Sequence, residues 1–237
     1  MSNEEYLLKN GEPVNLAVLT GDIVGSSNLS AERRMALYET FPVLSKMLME
    51  QFPADVSYMM SNFRGDGWQV IVNNPGKALE ISLFIRTFIR FTYQKEKLDS
   101  RIAIGIGPVQ FIPKDNVSAG DGPAYLLSGR LLESLKTRRM GVDLVQSNNL
   151  MLTKSLQSMI SLLDQIVTSW GAGQCTAVFY ALQHFTQVEI AEKWKPKPIK
   201  QASVSKSLKT AGWEQVSQAL ISFEELVDAA LRKGDDQ

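Results

Sequence analysis

Residues 14–28, VNLAVLTGDIVGSSN, begin with six mostly apolar positions, pass through Thr20-Gly21-Asp22 and run on into a Gly-Ser-Ser loop. A short apolar run that stops in turn-forming residues predicts a buried strand over 14–19. Ser30 is placed to cap a following helix, with Glu32 in the first turn, where a negative charge suits the helix dipole. Met35, Leu37, Tyr38, Phe41, Leu44, Met47 and Leu48 supply its apolar face, and Pro42 is expected to bend or interrupt it. Residues 56–63, VSYMMSNF, predict a second strand. Arg64-Gly65-Asp66-Gly67 predicts a tight turn, and 68–72, WQVIV, the return strand.

The pattern continues with a helix over 78–93 and a period-two strand at 101–106, RIAIGI, which PVQFI should extend. A helix over 122–136 and a strand over 142–147 follow. The resulting β-α-β-β-α-β order predicts an α+β, ferredoxin-like sheet in which the first two strands are parallel and the third lies between them, antiparallel. That arrangement brings the end of the first strand beside the hairpin. Asp22 and Asp66, 44 residues apart, should therefore meet at one sheet edge.

Composition narrows the chemistry. With 25 Lys+Arg against 25 Asp+Glu the chain is neutral, so nucleic-acid binding would need a local patch. Its single cysteine, Cys175, and single histidine, His184, exclude an internal disulfide and His- or Cys-based metal clusters. Both residues fall in a supporting helix and suit packing roles. Carboxylates remain as metal ligands, and they favour Mg²⁺ or a similar hard cation. The polar, acidic N-terminus is no signal peptide, and no apolar stretch is long enough to span a bilayer. A cytoplasmic protein is expected.

Alone, Asp22 is an ordinary strand-end residue and Asp66 an ordinary turn residue. Together they would repel unless a cation lay between them, and Mg²⁺ carried by a nucleotide would meet that need. The loop from Ile23 through Gly25, Ser26 and Ser27 leads into a helix N-terminus and offers a phosphate cradle. Asp121 also suits a helix cap beside Gly120 and Gly122, and Arg130 suits a surface pair with Glu133.

In this order LTGDIVGSS (19–27), FRGDGWQVIV (63–72), RIAIGIGPV (101–109) and AGDGPAYLLSGRLLESLK (119–136) resemble the class III nucleotidyl cyclase catalytic domain. Over residues 16 to about 220 the chain resembles the bacterial SatD family, cyclase-like in front with a helix-turn-helix behind. The resemblance implies metal binding by Asp22 and Asp66 with the Ile23 carbonyl, Asp121 in nucleotide binding, and Arg130 in the place of the transition-state arginine. Two cyclase positions depart from the pattern. Asn62 stands where the purine-selecting lysine is usual, and Leu126 where the ribose-orienting asparagine is usual. The metal pair is kept while the groups that orient substrate are lost, which favours nucleotide binding or other phosphoryl chemistry over cyclisation.

Beyond residue 150 the signals are helical. Apolar residues from Leu152 to Val167 predict a connector helix ended by Gly171 and Gly173, and Val178 to Phe185 a second helix. Thr186 and Glu189 form a capping box for a short third helix. Lys195-Pro196-Lys197-Pro198 breaks it, 201–210 forms a fourth that Gly212 closes, and Val216 to Val227 mark a fifth. The pair around the Lys-Pro segment resembles a helix-turn-helix. Lys193, Lys195, Lys197, Lys200, Lys206 and Lys209 would reach DNA phosphates, with Gln201, Ser203 and Ser205 toward base edges. A solvated face on a protein–protein module is the plainer alternative.

The sequence thus predicts a cyclase-like domain over 1–150 and a helical domain over 151–237. The expected function is a homodimeric, SatD-type regulator that senses a purine nucleotide with Mg²⁺ (or Mn²⁺) and binds double-stranded DNA. A divergent Mg²⁺-dependent cyclase or other phosphoryl-transfer enzyme is the first alternative. An interaction scaffold with a vestigial cyclase-like domain is the second.

Overall fold

The apolar run at 14–19 is the middle of a longer strand in the computed structural model, which describes residues 4–6, 8–9, 11–63, 65–145 and 150–232. This strand, β3, spans Glu12–Val24, so the chain does not turn at Thr20-Gly21-Asp22 but carries Asp22 within the sheet. Two short strands precede it, β1 (Glu4–Tyr6) and β2 (Leu8–Lys9). After it come α1 (Ala31–Gln51), β4 (Ser61–Phe63), β5 (Gly67–Val72), α2 (Ala78–Thr92) and β6 (Asp99–Val109). Next are β7 (Phe111–Pro113), α3 (Pro123–Ser134) and β8 (Met140–Leu144).

The sheet order is β4-β5-β3-β6-β8, with β2 added beside β3. β5 lies between β4 and β3 and is antiparallel to both, and β6 is antiparallel to β3. β8 is parallel to β6. Both faces of β3 are buried. Ala17, Leu19 and Ile23 enter a large core with α1 and α2, while Leu16 and Val18 enter a smaller one with Val109, Ile112, Ala124 and Tyr125. Burial on both faces explains why the strand reads as an unbroken apolar run.

Several boundaries differ from the sequence reading. Of the strand expected over 56–63 only Ser61–Phe63 forms; before it Val56 N–H bonds the Phe52 carbonyl and Met60 N–H bonds the Ser45 hydroxyl, so side chain and turn take the place of a ladder. The PVQFI segment does not simply prolong β6: the chain breaks at Gln110, and β7 pairs with β1 in a separate ribbon. Pro42 sits inside a helix that runs unbroken from Ala31 to Gln51. Arg64 of the expected turn, and residues 146 and 147 of the expected last strand, lie outside the described residues.

α3 lies on β6 at Gly105. A Cβ there would stand 2.3 Å from the Ala124 carbonyl oxygen and 2.7 Å from Ser128 N, both backbone atoms that cannot swing away. Gly105→Ala should therefore destabilise the fold by about 1–3 kcal/mol, read as a lower urea midpoint at unchanged slope.

The helices after the sheet are α4 (Leu150–Ser169), α5 (Ala172–Ala181), α6 (Gln187–Lys193), α7 (Gln201–Ala211) and α8 (Trp213–Arg232). Gly171 and Gly173 do not close α4: it ends at Ser169, Gly171 caps α5 and Gly173 lies within it. The predicted capping box at Thr186 and Glu189 is present. These helices share the large core of the sheet, which runs without interruption from Ala17 to Val227. Phe84 and Phe88 of α2 abut Phe179 of α5, and Phe91 stacks on it at 5.1 Å. Among the described residues no helix is long and apolar enough to cross a membrane.

Candidate phosphate-binding site

Strand register builds the first half of the site. Asp22 of β3 is paired with Arg101 of β6, so the two side chains share a face. The Arg101 guanidinium grips the carboxylate with both arms, Nε donating to Oδ1 at 2.9 Å and Nη2 to Oδ2. Hydrogen bonding to Asp22 raises the Arg101 pKa above its ordinary value; partial burial opposes this, and the charges of Asp22 and Asp66 reinforce it. The Ser100 hydroxyl donates to the Asp22 carbonyl at 2.7 Å and fixes the backbone beneath.

Loop geometry builds the second half. β3 ends at Val24, and Gly25 takes φ 89°, a left-handed conformation that favours glycine, to turn the chain into a short helical turn over Ser26–Asn28. Gly65, φ 83°, does the same at the β4–β5 hairpin and sets Asp66 over the sheet edge. The Ser26 hydroxyl donates to Asp66 Oδ2, which ties the two loops together.

Asp22 and Asp66 line a single pocket of about 410 Å³, with Ile23, Gly25, Ser26 and Ser27 on its floor. Arg101, Lys136 and Arg139 complete the wall. Two carboxylates thus face three cations, an arrangement suited to an anion that brings its own positive charge. A neighbouring hollow of about 320 Å³ shares Ser26, Ser27 and Asp66 and adds Arg34 and Tyr38. The larger cavity of about 640 Å³ elsewhere, between Leu16, Met49 and Met59, has Lys114 as its sole charged lining residue and no acidic pair.

Arg101, Lys136 and Arg139 escape a reading of the sequence. Arg101 looks like the polar flank of RIAIGI, and the strand register alone reveals its partner. Lys136 and Arg139 lie in the α3–β8 connection. There the Arg139 peptide is pinned on both sides: its N–H donates to Asp164 Oδ2 at 2.8 Å and its carbonyl accepts from Ile102 N–H at 2.7 Å.

The other candidates lie apart from the pocket. Asp121 is exposed, pairs with Phe111 across an isolated bridge and accepts from Gly122 N–H at 2.7 Å. Arg130 and Leu126 are exposed on α3, and Asn62 is exposed on β4. Cys175 is buried, and burial pushes its thiol pKa up. Among the described residues no group of three or more His, Cys, Asp or Glu side chains could enclose a metal.

Lys193, Lys195, Lys197, Lys200, Lys206 and Lys209 are all exposed along α6, α7 and the segment between them. Lys193 lies over the Phe185 ring at 4.5 Å, and Gln201 donates to Gln187 on α6. Ser203 is exposed and Ser205 half-buried.

The chain matches no known protein-family model and no curated protein. Among solved structures it is similar to a bacterial light-regulated adenylyl cyclase, at 16% identity and TM-score 0.43, covering 55% of this chain and 43% of that one. The chain therefore spans under half of that cyclase. It is also similar to the adenylyl cyclase CyaB from P. aeruginosa, at 16% identity and TM-score 0.37, covering 51% of this chain and 71% of that one. A third similarity is to the catalytic core of a rhodopsin-guanylyl cyclase with converted specificity in complex with ATPαS, at 16% identity and TM-score 0.42, covering 56% and 76%.

Proposed function

We propose that the pocket between Asp22 and Asp66 takes the polyphosphate of a nucleotide together with Mg²⁺ or Mn²⁺, in a divergent phosphoryl-transfer domain of the class III cyclase type. The observation that carries this reading is the convergence of two carboxylates from distant strands with three cations and a Gly-Ser-Ser loop in one cavity. The donor set fits a metal shared with phosphate rather than one enclosed by protein: Mg²⁺ commonly takes one or two carboxylates and fills its shell with phosphate oxygens and water. Asp22, Asp66 and Ile23 would hold it, and when bound it would supply charge neutralisation at a phosphoryl oxygen.

The chain's own groups do the rest. The Ser27 hydroxyl and the backbone N–H groups after Gly25 donate to phosphate oxygens, while the Ser26 hydroxyl holds Asp66 in place. Arg101, whose Nε and Nη2 hold Asp22, adds positive charge beside the same oxygens, and Lys136 and Arg139 close the wall. Asn62 and Leu126 in place of the lysine and asparagine expected of a cyclase make base and ribose selection weaker than phosphate binding. Arg130, outside the pocket, would serve it from a second copy of the chain, which is the homodimer this reading expects. Asp121 would enter by the same route.

Calorimetry with ATP, GTP and inorganic tripolyphosphate, with and without Mg²⁺, tests the reading. Metal-enhanced binding of all three is expected, with pyrophosphate release as the mark of turnover. Absence of binding by every one of them would overturn it.

A second reading is favoured by the six lysines between 193 and 209, all exposed, none in an ion pair among the described residues. Such a face suits duplex DNA and makes the chain a nucleotide-sensing regulator, with α6 and α7 as its helix-turn-helix. Fluorescence anisotropy against labelled duplex at graded salt checks it. Lys206→Ala with Lys209→Ala should reduce the slope of log K on log salt by about 2, one unit per lost phosphate contact. Binding without salt dependence would exclude this role.

A further inference from the structure

We propose that Asp164, on α4 outside the sheet, is a positioning residue for the cationic wall of this pocket, acting through Arg139. The inference rests on the polyphosphate reading and extends it to a residue that never touches the ligand.

Asp164 is 6% exposed, a position where a carboxylate is costly unless every oxygen is satisfied. Its Oδ1 accepts from Arg86 Nη1 at 2.7 Å and from the Thr168 hydroxyl at 3.3 Å. Its Oδ2 accepts from the Arg139 N–H at 2.8 Å. Arg86 is fully buried and holds Asp99 with two further bonds of 2.8 Å. One guanidinium thus serves two carboxylates, and the trio carries a formal charge of −1. Replacing buried ion groups with apolar side chains is often neutral or stabilising, so stability alone is a weak reason for such a trio.

Its placement supplies a better one. Ile102 of β6 pairs with Met140 of β8, so the backbones of Arg101 and Arg139 run side by side, with Asp22 across from Arg101. Both side chains line the pocket. Asp22 balances one directly, and the buried trio stands behind the other, with Asp99 only two residues from Arg101 in the chain. Asp164 grips Arg139 by its backbone, while the side chain, whose Nη1 donates to the Thr137 carbonyl at 3.1 Å, lines the pocket. The pocket is accordingly a composite: α4 fixes the backbone from which one of its cations projects.

The test is a double-mutant cycle on binding of Mg²⁺-tripolyphosphate to the full chain. Arg139→Ala should weaken binding about tenfold, the worth of one charge-assisted contact. Asp164→Asn keeps the shape but places an amide against two donors, and should weaken binding by about three- to tenfold. The double variant should bind within about twofold of Arg139→Ala, because both changes act on one cation. Wild-type affinity in Asp164→Asn, or effects that multiply in the double variant, would overturn the proposal. Should Asp164→Asn fail to fold, hydrogen exchange on the wild type decides: ligand-induced protection at Arg139 and at 164–168 supports it, and protection confined to the 23–28 loop and the 65–67 turn overturns it. If wild type binds and Asp66→Ala abolishes metal-dependent binding while Arg139→Ala and Asp164→Asn match wild type, this inference alone falls. If wild type binds no tripolyphosphate, the pocket reading falls and takes this inference with it.

Discussion

Arg86→Met will cost the fold about 3–5 kcal/mol, because it strips the guanidinium that pairs with the buried Asp164 and the partly buried Asp99. Asp99 and Asp164 would be left facing each other across a methionine of similar length. Burial by itself would lower the Arg86 pKa, but the hydrogen bonds and charge of Asp99, joined by Asp164, outweigh burial and raise it. The positive charge is therefore an integral part of the native state at all ordinary pH values. Urea unfolding followed by circular dichroism reads the loss as a lower midpoint. Changing Asp99 and Asp164 to Asn and Leu in the same chain should recover a good part of it, since the unpaired negative charges go with them. A loss below about 1 kcal/mol in the single variant would mean that solvent reaches the trio.

Asp66→Ala will remove the metal dependence of polyphosphate binding. Asp66 supplies one of two carboxylates in the pocket and sits in a turn where it accepts from the Ser26 hydroxyl. Affinity for Mg²⁺-tripolyphosphate should fall roughly 100-fold, equivalent to about 2.7 kcal/mol. Metal-free tripolyphosphate should bind as well as before or better, because the variant removes a negative charge and keeps Arg101, Lys136 and Arg139. Calorimetry with and without Mg²⁺ separates the two. Equal loss in both conditions would show that the carboxylate organises the loops instead of holding a cation.

The meeting of Asp22 and Asp66 is legible in the sequence because topology alone produces it. Once 61–63 and 67–72 form a hairpin whose second strand joins β3, the hairpin turn has to lie near the end of that strand. The cations are not legible in the same way. Arg101 reaches Asp22 through strand register across 79 positions, a relation that no local pattern encodes. Asp164 leaves a faint trace: it falls on the buried stripe of α4 with Ile160, Leu163 and Val167, where a polar residue is out of place. Arg86 leaves a similar one, inside a helix whose residues from Ala78 to Ile89 are nearly all buried. A charged residue on each of two apolar helices marks a buried pair, but naming the partners requires the fold. The false strand at 56–60 has a different origin. Val56 and Met60 are apolar because they plug the core from a loop, and apolarity alone does not distinguish a plug from a pleat.

The aromatic row of α2 against Phe179 has a consequence for heredity. A gene cut after codon 150 would yield a front piece with Phe84, Phe88 and Phe91 bare to water, and a back piece lacking the wall it leans on. Neither would travel well as an independent cassette, and the isolated front piece should clump when expressed. Recombination that trades one half for a stranger's half must bring a matching set of rings, so the two halves are constrained to diverge in step.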